Sequence, residues 1–302
     1  MFSSIHAKIQ SEIAKAYIGD ASTVSALIIA MLAGGHVLLE GIPGLAKTTL
    51  AKSLAMTLEA DFSRVQFTMD LMPSDITGSN IYHIHNEKFE FIPGPVFTNI
   101  LLADEINRAP ARTQSALLEA MQENQVSVDG KTWPLPYPFF VIATQNGSDE
   151  RGTWPLPESE LDRFMFRIRL GYPTPAQEQQ IVMLSARPEP QISPVISVQD
   201  FEAIQGQLMQ VHVSPEIASY IAGIIRQTRQ DPEIQRGASP RAGALMLKAA
   251  RSCAFVSGSE FVTPDHVRQI APLILNHRLI LRSESSDVDD VIRHILSTVP
   301  FR

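Results

Sequence analysis

The stretch His36-Val-Leu-Leu-Glu-Gly-Ile-Pro-Gly-Leu-Ala-Lys-Thr-Thr49 reads as an apolar strand, a glycine-bearing loop, and then Lys47-Thr48 opening a helix. That order builds a phosphate cradle. Gly41 and Gly44 let the loop turn its N–H groups inward around anionic oxygens, and the helix N-terminus adds its positive dipole end. In such a loop the lysine, Lys47, reaches the β- and γ-phosphates and the hydroxyl of Thr48 ligates Mg²⁺. The stretch departs from G-x-x-x-x-G-K-[ST] at one position, where Ala46 replaces the usual second glycine. An ordinary strand-to-helix turn that carries a lysine is a serious competitor for the motif alone, so the rest of the chain must decide.

The 302 residues suffice for one large domain or two unequal ones around a sizeable core. With 44% hydrophobic and 19% charged residues, the composition is that of a globular protein and not of a disordered one. The net charge of −7 gives no global field for nucleic acid or an anionic membrane, which leaves only a local basic groove for such a partner. A single cysteine, Cys253, excludes an internal disulfide framework and fits a reducing compartment. Its expected role is that of a small buried apolar side chain. Met1 to Lys8 has no basic segment followed by an apolar one, and the longest apolar run, Ala26 to Gly35, is too short for a bilayer. The expected location is the cytoplasm.

Apolar strand-like runs at 36–40, 64–68, 99–103 and 138–143 alternate with helical patterns, the signature of a parallel sheet flanked by helices. Two stretches alternate apolar and polar residues around turns, Ile81 to Ile92 and Gln125 to Trp133. Both read as hairpins, with Asp129-Gly130 the stronger turn signal and Asn86-Glu87 the weaker. After Gly171-Tyr-Pro-Thr-Pro175 the pattern becomes helical without convincing strands, first at 176–186 and then, past Arg187-Pro-Glu-Pro190, in amphipathic stretches from Val198 onward. This predicts a nucleotide-binding core over 1–185 and a smaller all-α domain over 186–302.

The residues that carry chemistry gather at strand ends. Asn99-Ile-Leu-Leu-Ala-Asp104-Glu105 is an apolar strand ending in adjacent carboxylates, and ligands of parallel sheets collect at that edge. Asp104 can hold Mg²⁺ directly or through water, and Glu105 can orient an attacking water in line with the γ-phosphate. Phe139 to Asn146 is a further strand that delivers an amide, Asn146, to the same edge. In Glu158-Ser-Glu-Leu-Asp162-Arg163-Phe-Met-Phe-Arg167, an exposed arginine can enter a neighbouring subunit's site, or it can pair within the chain with Asp162 or Glu158. Both readings stand at this point. Gly237-Ala-Ser239-Pro240-Arg241 reads as a helix start with Ser239 as N-cap. Arg241 then lies in the first turn, where the macrodipole disfavours a cation unless an anion is bound nearby. His83 and His85 share a strand face, but no cluster of ligands completes a metal site around them, and an exposed hairpin face is the better reading.

Taken together, these segments resemble the MoxR family of AAA+ ATPases. The likeness is carried by Gly35 to Thr48, Val65 to Gly78, Gly94-Pro-Val-Phe97, Leu101 to Pro110, Thr113 to Glu123, Ala143-Thr-Gln-Asn146, Leu161-Asp-Arg-Phe164, Gly237 to Arg241 and His277-Arg278. The resemblance implies a P-loop αβα core followed by a helical lid. Gly41, Pro43, Gly44, Leu45, Ala46, Lys47 and Thr48 fall in the Walker A loop, with Thr49 beside it; alanine at position 46 is usual in the family. Asp104 and Glu105 match Walker B, Asn146 sensor 1, Arg163 the arginine finger and Arg241 sensor 2. Arg167 is a second candidate for the finger. Ile18 and Gly19 fall where relatives line the adenine pocket, and the hairpins match the helix-2 insert and the pre-sensor-1 hairpin. Met69 replaces a proline frequent among relatives.

The family implies ATP and Mg²⁺ as ligands, a homo-oligomeric ring, usually a hexamer, and action as a chaperone-like remodeller of protein clients. A protein with a von Willebrand factor A domain is the implied partner. Two competing functions remain on the sequence: a nucleotide-dependent scaffold with little turnover, and a nucleic-acid motor, against which the acidic balance argues.

Overall fold

The computed structural model describes residues 2–42, 44–85, 87–146, 153–283 and 285–301. The first half alternates strands and helices in the predicted manner. In chain order it runs α1 (Phe2–Ile13), α2 (Ala21–Leu32), β1 (Val37–Glu40), α3 (Lys47–Thr57), β2 (Phe62–Gln66), α4 (Pro73–Thr77), β3 (Gly78–His83) and β4 (Lys88–Pro93). It continues with β5 (Ile100–Asp104), a single 3₁₀ turn (Ile106–Arg108), α5 (Ala111–Glu123), β6 (Gln125–Val128), β7 (Lys131–Pro134), β8 (Phe140–Gln145), α6 (Glu158–Leu161), β9 (Phe166–Arg169) and α7 (Pro175–Ser185).

The main sheet has the order β2-β5-β8-β1-β9, with every neighbouring pair parallel. Successive side chains on a strand face opposite ways, so the sheet divides the core into two apolar layers. Val37, Leu39, Ile100, Leu102, Phe140 and Ile142 pack with α1, α2 and α3, whereas Leu38, Leu101, Ala103, Val141 and Ala143 pack with α5. The register pairs Leu39 with Thr144 and Gln66 with Asp104, which lines up the carboxyl ends of β1, β2, β5 and β8 along one edge. The Gly41–Ala46 loop leaves from that edge.

His36 enters this core as a hydrogen-bonding side chain. Its Nδ1 accepts from the Val141 N–H at 3.0 Å and its Nε2 lies 3.0 Å from the Met121 carbonyl, so one neutral tautomer with the proton on Nε2 satisfies both. Burial pushes its pKa from 6.5 down to about 4, against a smaller opposing effect of the Met121 carbonyl.

Both predicted hairpins form. β3 pairs with β4, and β6 pairs with β7 around Asp129 and Gly130, whose positive φ values of 49° and 76° suit a tight two-residue turn. Asn86 lies outside the described residues. The predicted strands sit within two residues of the observed ones, and the structure adds β9, which the sequence reading treats only as a run of cations. Phe-Arg-Ile-Arg is a short edge strand whose Phe166 and Ile168 face inward, too brief for its alternation to stand out.

The remaining elements are α8 (Val198–Leu208), α9 (Pro215–Gln230), β10 (Ile234–Arg236), α10 (Pro240–Val256), α11 (Pro264–Leu275), β11 (Ile280–Leu281) and α12 (Val288–Thr298). Ser197, Ser214 and Thr263 cap α8, α9 and α11 by accepting backbone N–H bonds. The helical region also carries a feature absent from the sequence reading, an antiparallel ribbon of β10 with β11 that ties the approach to α10 to the exit from α11. Their apolar faces continue the layer that holds α1 and α2. Among the described residues no helix is long and apolar enough to cross a membrane.

Candidate functional site

The loop after β1 reaches α3 through two left-handed residues, Gly44 at φ 89° and Ala46 at φ 54°, ψ 29°. Ala46 occupies the N-cap of α3, and no side chain caps that end, so the first N–H groups of the helix have no side-chain acceptor. An anion is the partner such an end accommodates. The buried Lys47 ammonium folds back over the loop, donating to the Gly41 carbonyl at 2.5 Å and lying 3.5 Å from Asn146 Oδ1. Burial lowers its pKa, while the charges of Asp104, Glu105 and Glu40 oppose that shift. Pro43 lies outside the described residues.

Beside the loop opens a cleft of about 720 Å³, the size of a small-ligand site. Ile18 and Gly19 line it, together with Gly44, Leu45, Ala46 and Thr49, as do Tyr17, Tyr172, Ile181 and Leu184. A Cβ on Gly19 would collide with the Tyr17 hydroxyl, so a larger residue there requires the Tyr17 ring to move. Thr48 faces an adjoining groove with Thr49, Lys52 and Ser53, and no hydrogen bond links it to Asp104.

At the strand edge Thr144, one residue inside the end of β8, organises both carboxylates. Its hydroxyl donates to Asp104 Oδ1 at 2.6 Å and accepts from the Glu105 N–H at 2.8 Å. Asp104 Oδ2 accepts from Arg64 at 2.6 Å. Glu105 adopts a left-handed backbone, φ 56° and ψ 50°, which turns its carboxylate across the edge. There Oε1 accepts from Asn146 Nδ2 at 3.0 Å, and Oε2 accepts from Gln66 and from Arg108, each at 2.8 Å. Lys47, Asn146 and Glu105 thus form one contiguous chain of contacts. The sequence reading missed Thr144, Gln66, Arg64 and Arg108; for the first two, position at the ends of β8 and β2 was the available signal.

The two arginines lie apart from this chain. Glu158 pairs with Arg236 and Asp162 with Arg278, so both intramolecular partners considered for Arg163 are engaged by arginines of the helical region. Among the described residues none hydrogen bonds to or pairs with the half-buried Arg163 guanidinium. Arg167 instead lies between Glu40 Oε2, 3.9 Å away, and Asn276, to which it donates. Arg241 is exposed in the first turn of α10, where Ser239 occupies the N-cap position without a side-chain cap bond. Neither Arg163 nor Arg241 is among the described residues that line the cleft. Among the described residues no group of three or more metal-ligating side chains forms, and His83 faces Glu90 across its hairpin.

A hydroxyl, Thr48, and a carboxylate, Asp104, are hard oxygen donors of the kind Mg²⁺ takes while it keeps waters and phosphate oxygens as its other ligands. The uncapped N-terminus of α3 and the Lys47 ammonium match the charge of a triphosphate. The residues present fit both groups.

A parallel sheet whose first strand feeds a phosphate-type loop, with acidic and amide strand ends beside it and a helical region beyond, defines a P-loop nucleotide-binding protein of AAA+ architecture. Comparison with known proteins agrees. Residues 36–166 match the ATPase family associated with various cellular activities (AAA), and residues 226–295 match the AAA lid domain. The chain is 45% identical to the uncharacterized protein YeaC of Bacillus subtilis over 90% of this chain and 87% of that one. It is 40% identical to Chaperone MoxR1 of Mycobacterium tuberculosis over 95% of this chain and 80% of the relative. The crystal structure of an ATPase candidate from Cytophaga hutchinsonii superposes with a TM-score of 0.92 at 38% identity, covering 100% of this chain and 96% of that one. The chain belongs to the MoxR family of AAA+ ATPases.

Proposed function

We propose that the protein hydrolyses ATP to ADP and phosphate in a ring of identical subunits, and that this drives a chaperone-like remodelling of protein clients. The observation that carries the reading is the contact chain Lys47–Asn146–Glu105 at the mouth of an uncapped helix. Lys47 and the loop Gly41–Thr48 hold the phosphates, and Ile18, Gly19, Leu45 and Thr49 enclose the base and sugar. Thr48 and Asp104 would hold Mg²⁺, whose charge would neutralise that of the phosphate oxygens. Glu105 polarises the attacking water, Asn146 fixes its direction, and the Arg163 of a neighbouring subunit neutralises the transition state. Arg241 couples lid position to the γ-phosphate. The lack of a described partner for Arg163, set against the engagement of Arg167 by Glu40 and Asn276, supports Arg163 over Arg167 as the finger.

Six subunits, a von Willebrand factor A partner, a cytoplasmic location and a division between core and lid near residue 185 complete the reading, supported by family membership. ATP turnover tests it. Lys47→Ala and Glu105→Gln are each expected to lose about 10²- to 10³-fold in kcat, the usual cost of removing one pre-organised electrostatic group. Glu105→Gln keeps nucleotide affinity, and activity near the unmodified level in both variants contradicts the assignment.

A further inference from the structure

The turn that follows α11, Asn276-His277-Arg278, is polar and yet buried. A buried guanidinium is tolerated only when its donors are matched, and every match for Arg278 but two, the Ile274 carbonyl and the His277 ring, lies on the strip that leads into β9. Its Nε donates to Asp162 Oδ1 at 2.6 Å, and Nη2 donates to the carbonyls of Asp162 at 2.9 Å and Phe164 at 2.7 Å. Nη1 donates to the Met165 carbonyl at 3.3 Å and, on its own helix, to the Ile274 carbonyl at 2.5 Å. These contacts seize the chain immediately before and after Arg163.

The neighbouring residues extend the grip. Asn276 Nδ2 donates to the Arg167 carbonyl at 3.0 Å, and Arg167 donates in return to Asn276 Oδ1 at 3.3 Å. Arg167 also faces Glu40, the residue immediately before the phosphate loop. His277 Nε2 lies 2.7 Å from Arg278 Nη1 and its Nδ1 lies 3.0 Å from Asn276 Oδ1. Nε2 also lies 3.1 Å from the Phe164 carbonyl, so the ring bridges the turn and the strip beside Arg163. The helix that ends in this turn, α11, packs against α10, whose first turn carries Arg241.

We propose that Arg278 is the positioning residue for Arg163, so that the seating of one subunit's lid sets whether its arginine is presented to the next subunit's nucleotide. The inference rests on the reading of Arg163 as a cation that acts in trans. It adds a path by which a site in one subunit reports to its neighbour: Arg241 and α10, then α11, then Arg278, then the backbone on both sides of Arg163. Arg278 itself touches no nucleotide in this scheme.

Mixed assemblies test it. Arg278→Ala is expected to lower kcat about 10²-fold, the cost of displacing a reacting group by an ångström, with KM for ATP and sedimentation unchanged. Its own nucleotide site is intact, so co-assembly with Glu105→Gln subunits, which supply a seated Arg163, restores turnover. Co-assembly with Arg163→Ala subunits does not, because neither partner then presents a seated arginine. Recovery with Arg163→Ala but not with Glu105→Gln would place Arg278 in service of its own site and overturn the proposal. Recovery with neither, while Arg163→Ala mixed with Glu105→Gln does recover, reduces Arg278 to a fold support. Arg163→Ala that keeps full turnover, or that Glu105→Gln fails to rescue, removes the trans reading itself. Should Arg278→Ala not assemble, Arg278→Lys and Asp162→Asn are put through the same mixtures, with the same pattern of recovery expected after a smaller loss.

Discussion

Ala46 is the residue at which the sequence pattern and the backbone meet. An alanine held at φ 54° carries strain of about 1 to 2 kcal/mol relative to a right-handed residue. Glycine relieves that strain but loses about 0.4 to 1 kcal/mol through the freer unfolded chain. Ala46→Gly is therefore expected to leave urea stability level or raise it by up to about 1.5 kcal/mol, with nucleotide affinity retained. Ala46→Val places a branched side chain in a region such residues avoid, and thermal melting should show it destabilised. His36 supplies a pH signature. The unfolded chain takes up a proton near pH 6.5, whereas the buried ring resists until about pH 4. Stability from this group is thus present above 6.5 and is lost as pH falls towards 4, by about 3 kcal/mol in all. His277, held well below 6.5 by burial and then by Arg278, acts in the same direction. Urea midpoints recorded from pH 7 to pH 4 should fall steeply, and His36→Gln should flatten the slope; an unchanged slope in that variant would assign the effect elsewhere.

Among the elements, those with sustained periodicity were legible and those held by tertiary contact were not. Strands β1, β5 and β8 announce themselves as apolar runs because both faces of a parallel sheet are buried. The ribbon of β10 with β11 spans three and two residues, too few for any pattern, and it exists because the lid brings its ends together. The hairpin of β3 and β4 was legible by alternation, yet its anchoring was not. Gly78, at φ 88°, begins the hairpin where an added Cβ would collide with the Ile92 carbonyl and approach Gly94 N to 2.6 Å. Gly78→Ala must then both strain the backbone and part the strands, and a loss of about 2 to 4 kcal/mol is expected in chemical denaturation. A loss under half of that would mean the hairpin base relaxes at little cost.

For the whole molecule, sequence reading placed the loop after β1, the carboxylates at the end of β5 and the amide after β8 at one sheet edge because each ends or follows a recognisable strand. It could not tell whether Arg163 pairs within its own chain, since that depends on what Asp162 and Glu158 find across the fold. The structure gives them Arg278 and Arg236. It likewise could not find Thr144, whose role between Asp104 and Glu105 follows from the register of β5 with β8 and not from any motif. The central claim is that one chain holds an incomplete catalytic site and a second chain completes it. ATP turnover per protomer, measured against protein concentration beside sedimentation of the same samples, tests this most directly. Turnover per protomer should rise from a negligible value in the monomer range to a plateau as the assembly fills. A turnover per protomer that stays constant down to concentrations where only monomer sediments would contradict it.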